Sequence, residues 1–287
     1  MKIHFLQFLG WFISLTGYAQ PSTEVYTGTL TPTAHGWTVV QLTNLSQNPG
    51  YDNQPSFWTN DVLLYASTRG DQTDIVYHAL GGGNKQWKSH TPQGSEYSPL
   101  RIPLIEEFSA IRLDSTGLQR LYRYAPNGDI HLIHPTLKIG YHVWVNATTL
   151  LCTVLVDDRM DLYRLEVPTK KATLLQRQVG RSLHHIPGTS DFSFIHWKNQ
   201  QAIVTRIDAE MQVQNALFTL PLGVQDHAWL PNGTLIYGEG QKLYSVQPNQ
   251  PPRVLKEFSP KEIQSISRIA ISPNGQRIAL VGEEIKL

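Results

Sequence analysis

Short strand-like runs recur along this chain in sets of four, at a spacing of roughly 40 to 45 residues, and a period of that length points to a repeat architecture before any motif is read. One series reads QPSFWTN, YSPLRIP, YHVWVNA, SLHHIPG, DHAWLPN and SRIAISP. A second follows each: DVLLYAST, EFSAIRLD, TLLCTVLV, DFSFIHWK, GTLIYGEG and QRIALVGE. The third (DIVYHAL, RLYRYAP, DLYRLEV, AIVTRID, KLYSVQP) and the fourth (KQWKSHT, DIHLIHP, KATLLQR, NALFTLP, PRVLKEF) have one member fewer. The missing pair stands near the other end of the sequence: EVYTGTL (residues 24–30) fits the third series and TVVQLTNL (residues 38–45) the fourth.

Four-stranded units of this length arranged radially make a β-propeller. One such sheet cannot bury both faces alone, so each packs on its neighbours. A final hairpin left by itself would be barely stable and would present an open edge. The pattern therefore predicts an all-β, six-bladed β-propeller whose last blade is closed by the N-terminal strands, a single domain over residues 20–287. Composition agrees: 40% hydrophobic and 16% charged residues in 287, with 12 Tyr and 7 Trp, suit a strand-rich globular chain. Pro231-Asn232-Gly233 and Pro273-Asn274-Gly275 each join a first strand to a second, where Asn and Gly are expected to take the positive φ of a tight hairpin.

Residues 1–19, MKIHFLQFLGWFISLTGYA, differ from the rest. Lys2, an apolar run, and Gly17 and Ala19 before a cleavage point make a secretory signal, too short for a membrane span. Its removal takes Lys2 from the 24 Lys and Arg and leaves them equal to the 23 Asp and Glu. A neutral mature chain carries no electrostatic footprint for nucleic acid or an anionic membrane. Cys152, the single cysteine, sits in the apolar run TTLLCTVLV and reads as a buried thiol; no intramolecular disulfide is possible.

At the repeats themselves the chain resembles a known family. SPNGQRIALV looks like the Ser-Pro-Asp-Gly turn of TolB-like propeller repeats. PSFWTNDVLLYASTRGDQTDIVYHAL resembles the same repeat in full, with Ser67, Arg69 and Gly70 in its serine-arginine-glycine loop and Asp74 to Tyr77 opening its third strand. The resemblance covers the propeller only, with no counterpart expected for the α/β domain of TolB, and blades 2 and 4 depart from it with RIPLIEEF and HIPGTSDF. It implies a periplasmic or secreted propeller, monomeric, with a protein or peptide partner in the cell envelope.

In such a disc the first strands line the central channel, and the segments leading into them gather on one concave, loop-ringed face. Those segments offer Gln54 from blade 1, Glu96 from blade 2, Tyr141 and His142 from GYHVW in blade 3, Arg181 and His184 from GRSLHH in blade 4, Asp226 and His227 from QDHAW in blade 5, and Arg268 from blade 6. Converging on one axis, such side chains can bind a polar ligand or a peptide terminus by charge-assisted hydrogen bonds. His142, His184 and Glu96 could make a mixed metal set, but their spacing does not demand one, and no metal or other cofactor is expected. Trp144 and Trp229 occupy equivalent positions and read as packing between blades. No Gly-x-Ser-x-Gly elbow, His-Glu-x-x-His pair or phosphate loop is present. The expected function is therefore a binding scaffold; the alternative is a metal-dependent propeller enzyme, lyase- or hydrolase-like, acting on a polysaccharide or peptide, as the likeness to oligogalacturonate lyase implies.

Overall fold

The computed structural model describes residues 22–34, 36–247 and 250–283. The signal expected over residues 1–19 lies outside them. Among the described residues 24 strands pair into six four-stranded antiparallel sheets. Blade 1 holds Asp52–Thr59, Val62–Arg69, Gln72–Ala79 and Lys85–Trp87, from the axis outward. Blade 2 holds Gly94–Arg101, Phe108–Asp114, Gln119–Tyr124 and Ile130–Leu132. Blade 3 holds Ile139–Asn146, Thr149–Val156, Arg159–Glu166 and Lys171–Gln176. Blade 4 holds Val179–His185, Phe192–Lys198, Gln201–Ile207 and Val213–Thr219. Blade 5 holds Ala228–Trp229, Leu235–Glu239, Lys242–Val246 and Arg253–Glu257.

Blade 6 is made from both ends of the chain. Gln264–Ile271 and Arg277–Glu283 are its two inner strands, and Thr23–Thr33 and Gly36–Asn44 its two outer ones. Val25 stands opposite Val281 and Tyr26 opposite Leu280, all four buried. This is the closure the uneven series predicts. On the turn face, Arg277 reaches Asp61 at 3.1 Å and the Asn274 amide donates to Asn60 Oδ1 at 2.9 Å, clasping blade 6 to blade 1.

The two Pro-Asn-Gly turns differ from expectation in one respect. Only the glycines, Gly233 (φ 79°) and Gly275 (φ 69°), occupy the left-handed region. The asparagines instead turn their side chains back, Asn232 Oδ1 accepting from Thr234 N at 3.1 Å and Asn274 Oδ1 from Gln276 N at 3.0 Å. Asn acts here by mimicking a backbone turn, not by tolerating positive φ.

Apolar burial follows the blade boundaries. Val25, Leu63, Tyr65, Val76, Ala279 and Val281 fill the space between blades 6 and 1, and Leu151, Leu162, Val179 and Phe194 that between blades 3 and 4. The core is a ring of such clusters, as expected for a fold in which each unit is stabilised by its neighbours. Cys152 lies inside it as a free thiol, pushed up to about 12 by burial.

The innermost strands are irregular, and this decides what faces the channel. Register breaks fall between Asn53 and Ser56, Tyr97 and Leu100, Ile139 and Tyr141, Val179 and Leu183, and Gln264 and Arg268. Gln54 (φ 56°), Ser98 (φ 50°) and Ser265 (φ 50°) take left-handed conformations within them. Bulges of this kind re-aim side chains. Blade 5 does something else: Val224 N bonds back to Pro221 O at 3.1 Å in a turn, and only Ala228 and Trp229 pair with the second strand.

Candidate functional site

Seven of the nine residues expected at the channel line one cavity of about 90 Å³ on the axis: Gln54, Tyr141, His142, Arg181, His184, Asp226 and Arg268. Five blades supply them, and blade 2 contributes Ser98, Pro99 and Leu100. The side chains reach across the axis. Arg268 Nη2 of blade 6 donates to Tyr141 Oη of blade 3 at 3.3 Å, with its guanidinium 5.1 Å from the ring centre. Arg181 Nη2 of blade 4 donates to Ser267 O of blade 6 at 2.9 Å, while its buried Nε has no partner. Asp226 Oδ2 of blade 5 accepts from Ile269 N at 3.0 Å, and Gln54 Oε1 from Ser98 N at 2.7 Å.

These side chains are buried or half-buried along the cavity wall, so their charges act on one another with less screening than on an open surface. Burial and then repulsion from Arg268 lower the pKa of Arg181. For Arg268, burial acts downward, but Tyr141, Asp226 and Tyr51 outweigh it and raise the value. Burial alone would raise Tyr141; Arg268 and Arg181 together reverse that and lower it. His184 is lowered, mainly by burial, with Asp226 opposing. At the channel two arginines face one acidic side chain, Asp226, so basic groups outnumber acidic ones there.

Glu96 and His227 are not in the ring, contrary to expectation. Glu96, 0% exposed, lies between blades 1 and 2, accepting from Ser89 Oγ at 3.1 Å and Tyr124 Oη at 3.2 Å. Burial, with the Asp74 carboxylate beside it, pushes it up to about 7. His227 lies wholly behind the channel wall, its Nδ1 3.0 Å from Ser182 Oγ and its Nε2 2.8 Å from Ser193 Oγ, and burial drives its pKa well down. In an extended strand neighbouring residues face opposite ways, so Asp226 on the channel puts His227 behind it.

His227 belongs to a device used twice. Trp229 Nε1 donates to Ser193 Oγ at 2.8 Å, so one serine of blade 4 holds both the His and the Trp of blade 5. Between blades 2 and 3, Ser109 Oγ lies 2.7 Å from His142 Nε2 and accepts from Trp144 Nε1 at 2.8 Å. The expected role of the two tryptophans as interblade packing is thus specified down to the atom. The sequence carries the signal: Phe-Ser at 108–109 and 192–193 opens a second strand, and His-x-Trp opens the next blade.

His142, His184 and Glu96 do not converge, and among the described residues no three of His, Cys, Asp and Glu are grouped to hold a metal ion. Asp161 is engaged by Arg159 Nε at 3.0 Å and the Gln178 amide at 3.1 Å.

A second cavity, of about 280 Å³, meets the first at Arg181, Asp226, Arg268 and Ile269. It runs between blades 5 and 6, walled by Gly238, Glu239 and Gly240 on one side and residues 265–267 on the other, with Leu222 at its edge. It exists because blade 5 lacks the upper part of its inner strand. Of its lining, Arg181, Asp226 and Arg268 belong to the set expected at the channel.

Fold and site together define a six-bladed β-propeller with a polar channel that carries two arginines and one aspartate. No family model matches the sequence, and no curated protein matches it. Solved structures do. A TolB-type protein from Agrobacterium tumefaciens superposes with a TM-score of 0.69 at 14% identity, over 92% of this chain and 100% of that one. A gluconolactonase from Xanthomonas campestris gives 0.64 at 10% identity, over 94% and 99%. A chain of a nidogen–laminin complex gives 0.61 at 12% identity, over 86% and 97%. At such identities the likeness is one of fold.

Proposed function

We propose that this protein is an exported, monomeric scaffold that binds a protein or peptide partner of the cell envelope through its loop face and channel mouth. The observation that carries this reading is the convergence of Gln54, Tyr141, His142, Arg181, His184, Asp226 and Arg268, from five blades, on one cavity. Fixed donors and an excess of basic over acidic groups on a rigid frame suit recognition. One structural neighbour belongs by name to a protein–protein complex, nidogen with laminin, and another, the gluconolactonase, is an enzyme. The metal-dependent enzyme has less support here, since its carboxylate, Glu96, is enclosed between two blades.

Capture from a cell-envelope extract tests the proposal. The immobilised protein should retain a partner that the Arg181→Gln/Asp226→Asn double variant loses. Retention of the same partner by the folded variant would move recognition off the channel.

A further inference from the structure

The channel has the makings of a terminus-specific site. Arg181 and Arg268 lie at the meeting point of two cavities, where Asp226 is the one acidic side chain. Arg181 keeps a buried Nε with no partner. His142 is 5% exposed, lines the channel, and has an Nδ1 without a partner. The proton of Ser109 has two acceptors, His142 Nε2 at 2.7 Å and Leu100 O at 3.3 Å. Donation to the nearer one leaves the neutral imidazole with its hydrogen on Nδ1. The buried groups here that lack partners are then donors, which is what a carboxylate requires.

The adjoining cleft sets the shape of what bears that carboxylate. It is slightly below the range of small-molecule sites, about 300–1,000 Å³, at 280 Å³. It leads outward between blades 5 and 6 past Gly238 and Glu239, where no inner-strand residue of blade 5 pairs with the second strand, and is bounded at Gly240, whose carbonyl accepts from Ile266 N at 2.8 Å. At its outer end Leu222 is 75% exposed, an apolar side chain with nothing over it, beside the exposed Glu239. A channel closed by a cation at one end and opening along an unpaired strand towards an apolar edge fits an extended chain that ends inside.

Resting on the binding role proposed above, we infer that the ligand is the C-terminus of an extended peptide, its carboxylate held by Arg181 and Arg268 at the axis and its last side chains lying in the cleft between blades 5 and 6. Capture of a terminal carboxylate and placement of a chain beside an unpaired strand are both established modes of peptide recognition.

The test uses two matched synthetic libraries of short random peptides, one with free C-terminal carboxyls and one amidated, offered to the full protein. The free-acid library should be retained about 10- to 100-fold better, the size expected for a charge-assisted bond. That preference should vanish in folded Arg181→Gln and Arg268→Gln. Leu222→Asp, altered at the surface and therefore safe for folding, should lower recovery of peptides with apolar ends severalfold; unchanged recovery would take the chain out of the cleft. Equal retention of both libraries by the unaltered protein would overturn terminal recognition while leaving peptide binding intact. Retention of neither library would overturn both.

Discussion

Between blades 2 and 3 the buried polar group of the inner strand is an imidazole, His142, held by Ser109 with Trp144 on the same hydroxyl. Between blades 1 and 2 it is a carboxyl, Glu96, held by Ser89 and Tyr124 beside Asp74. Both junctions tolerate a titratable group away from water because it is neutral and hydrogen-bonded. They do so over opposite pH ranges. Burial holds His142 at about 3, so acid forces a charge into its junction. Burial lifts Glu96 to about 7, so alkali forces one into the other. A propeller can thus use unlike locks at neighbouring blade junctions, one failing in acid and the other above neutral pH.

The largest expected effect breaks the imidazole junction outright. Trp144→Ala empties a buried indole site and should cost about 3–5 kcal/mol in urea denaturation, whereas a cost under 1 kcal/mol would show the junction to be incidental. Ser109→Ala should follow at about 1–3 kcal/mol, because Trp144 Nε1 and His142 Nε2 would both lose their partner; a double-mutant cycle with Trp144→Phe separates the shared bond from packing.

The smallest effect is the sharpest comparison. The folded pKa of His142 lies below its free value of 6.5, so its contribution is complete above 6.5 and is lost as pH falls towards 3. The folded pKa of Glu96 lies above its free value of 4.5, so its contribution is complete below 4.5 and is lost as pH rises towards 7. Glu96→Gln should therefore raise the urea midpoint at pH 8 and leave it nearly unchanged at pH 4.5. A midpoint lowered at pH 8 would mean that Glu96 acts as a stabilising anion, and the two junctions would not be opposites.

Blade number, strand order and the shared last blade were legible in the sequence because they depend on repeat count, which survives local irregularity. The residues leading into the first strands were legible as a set, and seven of the nine do meet at the axis. Their facing was not. A shift of one residue turns a strand's side chains to the other side, and five of the six inner strands carry register breaks that pattern alone does not locate. Glu96 precedes the break in its strand and turns into the space between blades 1 and 2, and His227 lies next to the channel-lining Asp226 and faces the other way. The cleft was invisible for another reason: DHAWLPN reads as a full strand, yet the turn at Pro221 to Val224 leaves only Ala228 and Trp229 to pair. Ser109 and Ser193 could have been found, since Phe-Ser followed one blade later by His-x-Trp occurs twice.

The splice in blade 6 also sets an order of events during synthesis. Thr23–Thr33 and Gly36–Asn44 are made early, but the surface they complete includes Arg277–Glu283. At about 5–20 residues per second the ribosome takes roughly 10 to 50 s to deliver it. For that interval the earliest hairpin can pack only against blade 1, through Val25 on Leu63, Tyr65 and Val76, while the edge of Thr23–Thr33 that pairs with Arg277–Glu283 stays open to other chains.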